Sequence, residues 1–88
     1  MKITMVVKIF PEGKTCRKCN EVKEYLKNMD LMEKIDRIVE AVVEDTESEG
    51  MQLKRKYGVE NAPFFIVEDD DGSTEVYSSI LKLERDYF

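Results

Sequence analysis

Apolar and polar positions follow several distinct rhythms along this chain. From Ile3 to Phe10 nearly every residue is apolar and many are β-branched. Ile3, Met5, Val7 and Ile9 share one face and Val6 adds to the other, the pattern of a central strand covered on both sides. Pro11-Glu12-Gly13-Lys14 breaks the run as a loop. Beyond it the period changes. Cys19, Val22, Leu26 and Met29 form one stripe of a 3.6-residue repeat, which predicts a helix starting near Thr15 or Cys16. Arg17, Lys18, Lys23 and Lys27 lie off that stripe, and Asn28 and Asp30 are places for the helix to fray.

Arg37 to Val43 reads as a second strand because Ile38, Val39, Val42 and Val43 are β-branched. A helix from Met32 through Val43 competes, since Glu, Lys and Ala favour helices. Thr46-Glu47-Ser48-Glu49 matches a capping box and predicts a second helix carrying Met51, Leu53, Lys54 and Tyr57. Gly50 is a small cost inside it, and Gly58 suits a left-handed helix end. Phe64 to Val67 is a strand. Asp69-Asp70-Asp71-Gly72-Ser73 is a turn, read as a solvated hairpin tip rather than an acidic interaction site. Thr74 to Tyr77 returns as the partner strand. Ser78 or Ser79 can cap a last helix with Ile80, Leu83 and Tyr87 inward. The order β-α-β-α-β-β-α predicts an α/β fold: one βαβ unit, then an antiparallel pair, in a mixed four-stranded sheet with flanking helices.

The length of 88 residues suits a single domain spanning 1–88. The balance of 19 acidic to 14 basic side chains argues against nucleic-acid binding. No apolar run approaches a membrane span, and the first residues lack a signal-peptide layout. The expected location is therefore cytoplasmic. That bears on the cysteines, because cytosolic disulfides tend to be transient or catalytic.

Cys16-Arg17-Lys18-Cys19 is the most informative stretch. Two cysteines three apart on a first helical turn can bring their sulfurs together. The helix N-terminus offers Cys16 unpaired N–H groups and the positive end of the dipole, and Arg17 and Lys18 add charge. Cys19 lies on the apolar stripe and should be buried and less ionised. These positions assign Cys16 as nucleophile and Cys19 as the resolving thiol of a disulfide exchange. The cations are expected to favour the reduced form, and Lys14, Arg17 and Lys18 together suit an acidic partner surface. Three other readings stay open. The pair is half of a four-ligand zinc site, which a dimer would complete. It is a structural disulfide, although so short a loop constrains the unfolded chain little. Or the thiols only pack, as small hydrophobes.

With this C-x-x-C after the first strand, Lys56-Tyr57-Gly58-Val59, and Ala62-Pro63 before Phe64-Phe65, the chain resembles the thioredoxin superfamily over nearly its whole length. Its glutaredoxin-like branch is the nearest, because the first strand opens the sequence. The resemblance implies a thioredoxin-like, glutaredoxin-type fold and a dithiol–disulfide oxidoreductase acting on protein or glutathione disulfides. It implies a cis bond at Pro63 facing Cys16, with the backbone of Ala62 holding extended substrate. Thr15, Arg17 and Lys18 replace the residues usual around the two cysteines and join the expected substrate-binding set. Lys14 sits where glutaredoxins often pair a lysine with a glutathione carboxylate. After the fourth strand Tyr77-Ser78-Ser79-Ile80 stands in place of the usual Gly-Gly and polar pair, leaving Ser78 and Ser79 hydroxyls and amides for that contact. No bound cofactor is implied, with glutathione a candidate co-substrate. The partners are disulfide-containing proteins and a thiol reductant, either a thioredoxin-reductase-type enzyme or glutathione. The expected state is a monomer. A thioredoxin-like docking module with redox-inert cysteines is the alternative of another class, since fold does not fix function.

Overall fold

A computed structural model describes Met1–Phe88. Along the chain run β1 (Lys2–Ile9), α1 (Arg17–Asn28), a 3-10 turn (Met32–Lys34), β2 (Arg37–Val42), α2 (Glu49–Tyr57), β3 (Phe64–Glu68), β4 (Thr74–Tyr77) and α3 (Ile80–Tyr87). The strands form one mixed sheet in the order β2-β1-β3-β4. β1 and β2 are parallel, with Thr4 opposite Arg37 and Ile9 opposite Val42. β3 is antiparallel to both β1 and β4. The β-branched segment from Arg37 is thus a strand, and only its prelude is helical.

Strand alternation gives β1 two apolar faces and the fold two cores. Ile3, Met5, Val7 and Ile9 meet Phe65 and Val67 on one face, covered by Cys19 and Leu26 of α1 and Leu83 of α3. Val6, Val39, Ala41, Phe64 and Ile66 lie on the other, covered by Met51, Leu53 and Tyr57 of α2. The expected stripe of α1 holds through Leu26, but Met29 is exposed. Met29 caps the helix, Asp30 turns left-handed (φ 61°), and Leu31 returns its N–H to the Leu26 carbonyl at 2.8 Å. That closure puts Leu31, not Met29, against the core. Gly58 ends α2 in the left-handed region (φ 65°), as its sequence position predicts. Ser79, not Ser78, caps α3 and accepts the Lys82 N–H. The Tyr25 hydroxyl of α1 donates to Glu84, tying α3 to α1.

Two expectations for α2 are corrected. The capping box at Thr46 does not form, and Ser48 stands at the helix start. Its hydroxyl is engaged elsewhere: it accepts the Val42 N–H at 3.1 Å and donates to the Asp45 carbonyl at 2.8 Å. The end of β2 thereby claims the side chain that would otherwise cap α2. Gly50 is not merely a tolerated helix weakness. A Cβ there would lie 2.3 Å from the Ala41 nitrogen and 2.5 Å from the Glu40 carbonyl. Only a residue without a side chain lets α2 rest on β2.

A Gly50→Ala variant should therefore lose stability, although alanine is the better helix former. The expected loss is about 2 kcal/mol, in the range of overpacked cores, measured as a lower denaturant midpoint at unchanged slope.

Candidate active site

The site is built where one edge of β1 runs out of partners. The β1–β3 ladder stops at Val6 opposite Phe64. Pro63, just before, has no N–H to extend it. On the β2 side the Ile9 carbonyl accepts the Val43 N–H at 2.8 Å. By alternation the polar groups of Lys8 face the opposite, vacated edge. The chain doubles back to fill it. Phe10 donates its N–H to the Lys14 carbonyl at 2.8 Å and Thr15 pairs with Ile9. The Lys8 carbonyl accepts the Cys16 N–H at 2.9 Å. The Lys8 N–H donates to Cys19 Sγ at 3.3 Å. One strand residue thus holds both cysteines.

Cys16 is the N-cap of α1, with extended backbone and its Sγ accepting the Cys19 N–H at 3.3 Å. A sulfur there serves as the capping acceptor. No acidic residue lies in the first turn of α1. Cys16 is partly exposed and Cys19 fully buried, and both are free thiols. Burial foremost, and then a hydrogen bond with Cys16, push the Cys19 thiol up to about 11 from an ordinary 9.0. The Lys8 N–H and the Lys23 charge pull the other way. Cys19 is therefore a protonated thiol at neutral pH.

The other expected site residues do not gather in one place. Lys18, Pro63, Ser78 and Ser79 line one groove of about 190 Å³, together with Val22, Phe65, Ile80 and Leu81. The Ala62–Pro63 peptide bond is cis. Ala62 is partly buried, and its backbone N–H and C=O bond to no other protein group. Thr15 and Arg17 instead border a broad concavity on the outer side of α1, with Asn20, Glu21, Glu24, Tyr25 and Asn28. Arg17 points into solvent and pairs with Glu21 at 3.3 Å, a contact of little energetic weight. Lys14 is exposed in the loop and borders neither. Lys14, Arg17 and Lys18 therefore line no common cavity.

Sequence reasoning missed Lys8, whose contribution is made by its backbone and leaves no side-chain signature. It also missed the apolar lining of the groove. One signal was available: Leu81 is a large apolar residue off the inward stripe of α3, and it is 65% exposed. No group of three or more His, Cys, Asp or Glu side chains is arranged so that it could hold a metal ion. No helix is long and apolar enough to cross a membrane. The sequence matches no protein-family model, no curated protein and no solved structure.

The raised Cys19 thiol has a signed consequence for the reduced protein. The folded state holds this proton more tightly than the unfolded chain, so its contribution is complete below about pH 9 and is lost as pH rises toward 11. Between those pH values the stability of wild type should fall more steeply than that of Cys19→Ala, as read by denaturant titration under reducing conditions.

Proposed function

We propose that this protein is a dithiol–disulfide oxidoreductase with a thioredoxin-like fold of the glutaredoxin type. One observation carries the reading: a partly exposed thiol caps a helix, and a buried, protonated thiol lies one turn behind it. Three further features support it. The C-x-x-C opens the first helix after β1. β2 is the only strand parallel to β1. A cis proline enters β3.

The arrangement divides the reaction into two steps. The Cys16 thiolate attacks one sulfur of a substrate disulfide, and the other sulfur leaves as a thiolate and takes a proton. Cys19 then loses its proton and attacks Cys16 Sγ. The Cys16–Cys19 bond forms, the mixed disulfide breaks, and the second substrate sulfur departs as a thiol. Two electrons pass from the protein to the substrate. A thiol reductant, glutathione or a thioredoxin-reductase-type enzyme, returns the pair to the dithiol.

The groove beside Pro63 gives the substrate a place. The unbonded backbone of Ala62 can meet an extended segment, and the Val22, Phe65, Ile80 and Leu81 side chains can take an apolar residue beside the disulfide. Lys18 is the one charged residue in the lining. This favours peptide disulfides with an apolar side chain and a nearby carboxylate. A glutathione ammonium would find no carboxylate there.

The deciding measurement is a redox titration in buffers of graded potential, with free thiols alkylated and read by intact mass. A reversible two-thiol transition between about −180 and −270 mV is expected. A pair that stays oxidised below about −300 mV would be structural instead. Cys16→Ser should reduce turnover of a protein disulfide to background, and Cys19→Ser should accumulate a mixed disulfide on Cys16. Lys18→Glu should raise KM for an acidic peptide disulfide with kcat unchanged.

A further inference from the structure

The two-step reading leaves one difficulty, and a neighbouring side chain answers it. The resolving thiol is buried among apolar side chains and protonated, yet it has to attack as a thiolate. Phe65 and Val67 of β3 and Leu83 of α3 share its core, with Tyr77 of β4 and Ile80, Tyr87 and Phe88 from the C-terminal segment packed against it. From β1 it receives the Lys8 N–H. On its own helix the groups acting on it are Cys16 and Lys23. No carboxylate is among these groups.

Lys23 follows Cys19 by four residues, which places the two side chains on one helix face. It differs from the other cations of α1. Lys18 and Lys27 are exposed, and Arg17 is paired with Glu21. Lys23 is half-buried and has no ion-pair partner among the salt bridges of the fold. Its charge is therefore not committed to any carboxylate of the fold. A thiolate appearing one turn away would restore a partner.

We propose that Lys23 is the positioning cation of the resolving step, stabilising the Cys19 thiolate as it attacks the mixed disulfide on Cys16. The inference rests on the oxidoreductase reading. The first step prepares the second. Once Cys16 is bonded to substrate sulfur it no longer presents a thiol or thiolate to Cys19, and both of its contributions that hold the Cys19 proton disappear. Burial then opposes ionisation while the Lys8 N–H and the Lys23 ammonium favour it. The proton goes to water, and the electron pair it leaves on sulfur forms the Cys16–Cys19 bond as the substrate thiolate departs. Lys23 touches neither substrate nor the breaking bond; it acts through Cys19.

The test uses the reduced full chain and 2,2′-dithiodipyridine, an uncharged disulfide that releases one chromophoric thione at each step. The first equivalent reports Cys16 and the second reports Cys19. Lys23→Met should leave the first phase unchanged and slow the second about fivefold at pH 7, the order expected from removing one nearby charge. The pH midpoint of the second phase should rise, and Lys23→Arg should restore it. Lys27→Met, at an exposed site on the same helix, should change neither phase. A second phase whose rate and pH profile are the same in wild type, Lys23→Met and Lys23→Gln would overturn the role of Lys23 and leave the dithiol mechanism standing. A wild-type protein that releases only the first equivalent would instead overturn the dithiol mechanism, and this role with it.

Discussion

At Lys8 a strand in the middle of a sheet loses its neighbour, and the site depends on how that loss is met. Buried N–H and C=O groups require partners. β3 cannot supply them, because it begins at Phe64 behind a proline. The partners come instead from the chain that has just left β1: the Cys16 N–H and the Cys19 sulfur. Satisfying one exposed edge therefore fixes where α1 begins, which sulfur faces solvent and which faces the core. The turn at Pro11–Gly13 has to be tight for this to work, and Gly13 supplies the left-handed residue it needs (φ 91°).

The same constraint explains why the two thiols differ so strongly although they are three residues apart. Cys16 is the last residue before the helix and takes part in capping. Cys19 is the first residue of the inward stripe and is sealed by both layers around it. No difference in residue type separates them. The difference comes from the phase of the helix relative to the sheet, and the Lys8 contacts set that phase.

Much of this was legible in the sequence because it follows from periodicity. The two faces of β1, the stripe of α1 through Leu26, the hairpin around Gly72 and the inward residues of α3 are all pattern effects, and the packing respects them. The C-x-x-C stands out by its spacing, whereas Ala62-Pro63 reads locally as a plain loop-to-strand junction and gains meaning only through the resemblance to the thioredoxin superfamily. What could not be read is whatever depends on two segments meeting. Gly50 looked like a weakness until Ala41 was seen against it. Thr46 looked like a cap, but Ser48 was already bonded to the end of β2. Lys14, Arg17 and Lys18 are close in sequence, yet Arg17 and Lys18 border different cavities and Lys14 borders neither. The backbone of Lys8 has no signature at all.

The burial of Cys19 also bears on damage. A peroxide arriving from solvent would meet Cys16, the more exposed thiol, and a sulfenic acid formed there is the first rung of an oxidation ladder whose upper rungs are irreversible. The thiol behind it is shielded from the same attack. It lies within reach of the damaged sulfur, and condensation of the two expels water and leaves an ordinary disulfide. The geometry that would order the two steps of the proposed exchange would then also return an oxidised Cys16 to a form that a thiol reductant can restore.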